Sequence, residues 1–429
     1  MLIDFSVENF RSFDAEQTFS MVASPVSELE GNSFTTPEIP DRLLKSAVIY
    51  GANAAGKRNL LMAMNVLGQL TTSQRDHEDP DRIVLDPNGI APFALRAASA
   101  NRPSVFAARF VCGAGRYAYR VAIRDGKIHE EQLLAYPNGH KQHWFTRTIG
   151  LDIDFHTSAM PGPKKQLEKV TPSHRTFLDV AASFGHPALS PVAEWLRRNM
   201  HHQGDLLGMP FVYASSQTAM RCLLDSRFLK WVTETLQKAD LGIREVQVEM
   251  IEVRRRPAIH PENGPTTTLF FRDIRPIVRF IHEGDPGVTA KFLLAEESQG
   301  TQQFFHLLSD LYDSLQKGGV ILFNKLGTSM HSLLTRGLIR TFNDPALNPK
   351  NAQLVFTTHD TTLMSANLFR RDQIWLAEKS PAGATELFSL YDIKNVRKDE
   401  AIEDGYLRGR YGAIPWLRQF ELPRTNHHT

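Results

Sequence analysis

Residues 48–64 read VIYGANAAGKRNLLMAM, and the architecture of the chain turns on how this stretch folds. Val48, Ile49 and Tyr50 form a short apolar run closed by Gly51, the pattern of a buried strand that ends in a turn. From Asn59 onward the apolar residues fall at helical spacing, so a helix is expected directly after Lys57. Strand, glycine-rich turn and helix in this order are what a phosphate-binding loop requires. Gly51 and Gly56 let backbone N–H groups curl round phosphate oxygens, and Lys57 adds a positive charge beside them. An ordinary Gly/Ala-rich turn before a buried helix is the competing reading, and the flanking strand and helix favour the phosphate loop. One position breaks the pattern. After the lysine such a loop carries a serine or threonine whose hydroxyl reaches Mg²⁺, and here that residue is Arg58.

Composition narrows what the loop can serve. The chain has 429 residues, enough for one large α/β unit of two lobes carrying an insertion. Lys and Arg number 49 against 47 Asp and Glu, a net charge of +2, so no global basic field points to nucleic acid or to an anionic membrane surface. The two cysteines, Cys112 and Cys222, are too few for a disulfide framework or a zinc site and suit a reducing cytoplasm. Charges interrupt the apolar residues of MLIDFSVENFRSF, and no run approaches a membrane span, so neither a leader peptide nor a membrane segment is expected.

Along the chain, LIDFSVENFRSF alternates like a strand, and KSAVIYG ahead of the loop is a short apolar run ending in glycine. Residues 74–91, rich in Asp and Pro, read as an exposed loop. A meander of strands follows from Pro103 to Tyr136, with GAG and RDGK as hairpin turns. Residues 174–240 are mostly helical in pattern, REVQVEMIEVRRR and TTTLFFRD return to strand alternation, and the last 140 or so residues alternate helix with strand. The spacing thus predicts an N-terminal lobe over 1–155, a helical insertion over 156–245 and a C-terminal lobe over 246–429.

Three further segments carry chemistry. GGVILFNKLGTSMHSLL, Gly318 to Leu334, has the apolar strand of a Walker B motif, but Asn324 and Lys325 stand where an acid for Mg²⁺ and an acid that polarises water belong. Taken alone it reads better as a buried strand ending in a polar turn. In LLAEESQGTQQFF, Ser298 and Gly300 precede a helix, and Ser298 suits either a helix cap or a phosphate contact. LVFTTHD is a strand ending at His359, placed either to sense a terminal phosphate or simply to occupy a loop. Arg254, Arg255 and Arg256 read as a solvated basic turn, and His201, His202, His427 and His428 lack metal-site spacing.

Together these segments resemble the ABC-type ATPases of the RecF and SMC kind and, more narrowly, the bacterial OLD-like and abortive-infection ATPases. The resemblance rests on Val7–Phe13, Gly51–Leu61, Glu296–Gln302, Asn324–Leu334, Phe356–Asp360 and YLRGRYGAIP from Tyr406 to Pro415. His140–Arg147 and Val396–Gly405 fit it too, so it covers nearly the whole chain. It implies an ABC-type P-loop NTPase fold in which Gly51, Asn53, Ala54, Ala55, Gly56, Lys57, Arg58 and Asn59 form the nucleotide loop. Ser298 and Gly300 then belong to the signature segment, Asn324 and Lys325 to the Walker B positions, and His359 to the histidine switch. It further implies ATP as ligand, association of ATPase heads into a homo- or hetero-oligomer, a phage-defence setting, and a toxic effector or nuclease as partner protein.

The departures from that family fall at the metal and the base. Serine or threonine is Arg58, the metal-binding Asp is Asn324, the catalytic Glu is Lys325, and a further Asp is Gly327, while Lys57, Ser298, Gly300 and His359 are kept. Loss of a general base alone typically costs about 10²- to 10⁴-fold in rate, so hydrolysis is expected to be impaired. The expected protein is a hydrolysis-deficient ATPase-fold regulator or scaffold that binds ATP with or without Mg²⁺. A working ATPase with an altered metal site and a RecF-like DNA-binding protein are the alternatives.

Overall fold

The computed structural model describes residues 1–71, 90–156, 160, 162–200, 212–239, 241–255, 271–365, 367–397 and 400–415. Residues 74–89 of the expected 74–91 loop, residues 266–270 of the expected TTTLFFRD strand, His201, His202, Arg256, His427 and His428 lie outside them. The chain opens with β1 (Leu2–Glu8) and β2 (Gln17–Ser20), then a small hairpin of β3 (Ser33–Thr36) and β4 (Ile39–Leu44). β1 stops at Glu8, short of the FRSF residues read with it, because Asn9 and Arg11 take left-handed φ of 48° and 51° and turn the chain back on itself. The phosphate-loop unit comes next, β5 (Ser46–Tyr50) and α1 (Lys57–Gln69), followed by the meander β6 (Ser104–Cys112), β7 (Gly115–Arg124), β8 (Lys127–Tyr136) and β9 (Gln142–Thr148). Helices α2 (Lys165–Lys169), α3 (Phe177–Ser183), α4 (Ser190–Met200), α5 (Val212–Leu224) and α6 (Ser226–Lys238) lead to a long antiparallel hairpin, β10 (Ile243–Arg255) and β11 (Phe271–Glu283), edged by β12 (Thr289–Leu293). The remainder alternates: α7 (Gln299–Lys317), β13 (Val320–Phe323), α8 (Ser332–Asn343), β14 (Gln353–Thr357), β15 (Ile374–Lys379), β16 (Thr385–Ser389) and α9 (Ile402–Leu407).

Two sheets organise these elements. Six antiparallel strands run in the order β2-β1-β6-β7-β8-β9. The second sheet runs β13-β14-β5-β15-β16, parallel except for the final β15–β16 hairpin. The N-terminal strand β5 thus sits between two strands contributed some 300 residues later, and β14 separates it from β13. Alternation explains why β5 reads as a continuous apolar run. Ala47 and Ile49 face one core with α1 and α4, while Val48 and Tyr50 face a second core with α7 and α8. A strand covered on both faces needs apolar side chains at every position. In β14 the same division sends Val355 to the first core and Leu354 and Phe356 to the second. Each fully buried side chain of this kind contributes about 1.5–3 kcal/mol.

Buried polar contacts lock the two ends of the chain together. The Gln353 amide accepts from Leu2 N at 2.6 Å and donates to Leu2 O and Leu44 O at 3.1 and 3.0 Å. Arg370, 2% exposed, pairs with Asp372 at 2.7 Å and donates to the carbonyls of Ser24, Val26 and Glu28. In the meander, buried Glu131 accepts from Phe177 N at 2.6 Å and Leu178 N at 2.9 Å, so it caps α3, and it also accepts from the Tyr119 hydroxyl at 2.9 Å. With a glycine-rich loop between β5 and α1, and β14 inserted between the phosphate-loop and Walker B strands, the chain has the ABC-type P-loop NTPase fold. Among the described residues no helix is long and apolar enough to cross a membrane.

Candidate functional site

The loop between β5 and α1 is held in a shape that ordinary residues cannot copy. Gly51 has φ 147°, and a Cβ there would stand 2.3 Å from Ala377 O of β15. Gly56, the N-cap of α1, has φ 107°, and its Cβ would fall 2.1 Å from Thr385 Oγ1. The loop is therefore clamped against the β15–β16 hairpin by backbone proximity. A small hydroxyl network completes the clamp. Thr385 Oγ1 lies 2.8 Å from both Ala55 O and Ser12 Oγ, and its proton goes to the carbonyl, which only accepts. Asn59 Nδ2 donates to Ser12 Oγ at 2.8 Å, and Thr385 N donates to Ser12 O at 2.7 Å. Ser12 thus belongs to the site. It lies inside the FRSF stretch, and nothing in its sequence spacing reveals a contact with residues 59 and 385.

Lys57 opens α1 and is 7% exposed. Its ammonium donates to Gly51 O at 2.6 Å and Ala52 O at 2.8 Å, which holds it across the mouth of the loop. Burial, and then the neighbouring Lys325 charge, bring its pKa down to about 8. Arg58, the second residue of the helix, is exposed. The first N–H groups of a helix have no partner within it and, with the helix dipole, favour an anion at this end.

Register brings the other candidates to the same edge. Phe323 pairs with Phe356 and Thr357 with Ile49, so β13, β14 and β5 end side by side and deliver Asn324, Lys325 and His359 beside the loop. Thr357 organises the first two. Its hydroxyl donates to Asn324 Oδ1 at 3.0 Å and accepts from Lys325 N at 2.8 Å. Lys325 takes a left-handed φ of 58° and is exposed, while Asn324 is buried. Leu326 N donates to Thr357 O at 2.9 Å, and Thr358 Oγ1 donates to Leu326 O at 2.8 Å, so the turn after β13 is tied to β14 at every step. Partial burial, then Lys57 and Lys325, hold the His359 ring below the usual histidine pKa.

The donor set does not fit Mg²⁺. A phosphate-loop metal takes a hydroxyl after the lysine and a carboxylate at the end of the Walker B strand. Those positions hold the Arg58 guanidinium and the Asn324 amide, whose oxygen is already engaged by Thr357. Among the described residues there is no group of three or more His, Cys, Asp or Glu able to hold a metal ion.

Ser298 and Gly300 occupy a different patch. Ser298 caps α7, its Oγ accepting from Thr301 N at 3.1 Å, and its described side-chain bonds stay within that turn. Gly300 is buried against the loop after β13, where a Cβ would meet Ser329 O at 2.4 Å. A cavity of about 790 Å³ lies along β13 between α4 and α7. Asn324 and Lys325 line one part of it, but none of residues 51–59 does, so it is a space apart from the loop. Within it, burial followed by the Asp313 charge raises the Asp310 carboxyl to about 6.

Residues 222–365, a third of the chain, match the model of a family described as "AAA domain, putative AbiEii toxin, Type IV TA system". A comparison with curated proteins returns no match. Among solved structures the chain is similar to one described as "Crystal structure of the SmcHead bound to the C-winged helix domain of ScpA", at 14% identity and a TM-score of 0.39, over 90% of this chain and 97% of that one.

Proposed function

We propose that this chain is a hydrolysis-silent ATPase-fold subunit of a bacterial anti-phage defence system, in which it acts as a regulator or scaffold for a toxic effector. The observation that carries this reading is the pairing of an intact phosphate loop with a site stripped of its metal and base chemistry. The strained glycines, the Lys57 contacts and the clamp from Ser12 and Thr385 are all in place. At the start of α1 and the end of β13, where hydrolysis needs a hydroxyl and two acids, stand Arg58, Asn324 and Lys325. A cation in the general-base position cannot draw a proton from water. The family matched by residues 222–365 supports the defence setting, since its description names a putative toxin of a type IV toxin–antitoxin system. The exposure of Ser298 and Gln299 at the start of α7 supports a role for the signature segment as a surface suited to association of ATPase heads in an oligomer.

Two measurements on one preparation test the reading. Phosphate release from ATP with Mg²⁺ should stay at the protein-free level, and pull-down from the native host should recover a stoichiometric protein partner. Mg²⁺-dependent release that disappears in Lys57→Ala would make the protein a working ATPase instead.

A further inference from the structure

We infer that the loop site takes a triphosphate chain without a divalent cation, the charge of the missing metal being supplied by Arg58 and Lys325 beside Lys57. This rests on the proposed function to the extent that the phosphate loop still serves as a binding site.

Charge and geometry point the same way. In an ordinary site of this fold a lysine and a divalent cation are opposed by two carboxylates, a net of roughly one positive charge. Here three cationic side chains are opposed by none at the corresponding positions, because Asn324 is neutral and Lys325 reverses the sign. The site is already more positive than its metal-loaded counterpart, and a free triphosphate chain carries about four negative charges to meet it. Adding Mg²⁺ would lower the charge of the ligand and place a cation among cations, with no carboxylate at the metal-binding positions 58, 324 and 325 to hold it.

Two of these cations are also positioned rather than merely present. Lys57 is fixed by two carbonyls at 2.6 and 2.8 Å, and the Lys325 backbone is fixed by Thr357 at 2.8 Å in a left-handed turn. Among the described residues, the charges that act on Lys57 and His359 are one another's neighbours: Lys325 on Lys57, and both lysines on His359. Like charges gathered round a loop with anion-binding geometry repel until an anion joins them. A triphosphate relieves that repulsion, and charge-assisted contacts to its oxygens are of the stronger class of hydrogen bond.

The test is calorimetric titration of the full chain with ATP, inorganic tripolyphosphate and AMP, each in EDTA and in excess MgCl₂. ATP and tripolyphosphate should bind in EDTA, Mg²⁺ should weaken both by about tenfold or more, and AMP should give no measurable heat. Lys325→Gln, an exposed substitution that leaves the core untouched, should weaken binding by about tenfold, whereas Lys230→Gln on α6 should change nothing. Equal affinity for ATP and tripolyphosphate would identify the ligand as a polyphosphate anion, and tighter ATP would identify a nucleotide; either upholds the inference. Binding that strengthens with Mg²⁺, or absence of binding by folded protein in every arm, overturns it. Neither of those results, without phosphate release, touches the silent-subunit reading, which falls only if ATP is hydrolysed.

Discussion

Raising the pH from 7 to 9 should switch off much of the affinity for ATP in EDTA, and Lys57 sets the size of the effect. Its ammonium in the ligand-free protein has a pKa of about 8, lowered first by burial and then by Lys325. A bound triphosphate favours the charged form, so the pKa rises in the complex, and the loss of affinity begins at the free-protein value. The charged fraction is roughly 90% at pH 7 and roughly 10% at pH 9. If only the charged form binds, the dissociation constant should grow about tenfold over that interval. ATP itself adds little slope, since a terminal phosphate gives up its second proton at about pH 6. His359, held below the usual histidine value, gains its charge only on the acid side and stays out of the window. Titration calorimetry at half-unit steps, with Lys57→Met as the comparison, reads the effect directly. The variant should bind weakly with a flat profile. An unchanged or rising affinity of the native protein between pH 7 and 9 would refute the assignment of Lys57 as a charge the ligand needs.

Four further variants have defined outcomes. Gly51→Ala should lower thermal stability by about 3 kcal/mol or more, because both the 2.3 Å approach to Ala377 O and φ 147° resist a Cβ; an unchanged melting midpoint would contradict the clamp. Glu131→Ala should remove about 3–5 kcal/mol, measured by thermal unfolding, since Phe177 N, Leu178 N and the Tyr119 hydroxyl lose their buried acceptor and Arg147 loses its carboxylate at 3.7 Å. Arg370→Met should cost a similar amount, about 3–5 kcal/mol, by leaving Asp372 charged at 5% exposure, and limited proteolysis should then cut near residues 24–28. Combining Arg58→Ser, Asn324→Asp and Lys325→Glu should reverse the sign of the metal effect, so that Mg²⁺ strengthens ATP binding; continued weakening by Mg²⁺ would show that other residues govern the metal.

What could be read from the sequence was local, and what could not was tertiary. The strand, glycine turn and helix at 48–64 are recognisable because apolar period and glycine placement are properties of neighbouring residues, and β5 and α1 lie where the pattern puts them. β13 and β14 were legible as apolar runs for the same reason. The order in which they pair was not. Nothing near residue 50 announces that β14 and β15 flank it, since that pairing follows from burying both faces of β5 across some 300 residues. The site divides likewise. Arg58, Asn324 and Lys325 stand out by motif position, whereas Ser12, Thr357 and Thr385 act through contacts between distant elements, and small hydroxyl residues leave no periodic trace. The overlong strand expected at the N-terminus failed for a backbone reason, the left-handed turn at Asn9 and Arg11.

A phosphate loop beside Arg58, Asn324 and Lys325 should not turn over nucleotide. Phosphate release from ATP by the purified chain, with Mg²⁺ and at saturating protein, tests it most directly. Release should be indistinguishable from the protein-free blank, for the native chain and for Lys57→Ala alike. Steady Mg²⁺-dependent release by the native chain, abolished in Lys57→Ala, would contradict it.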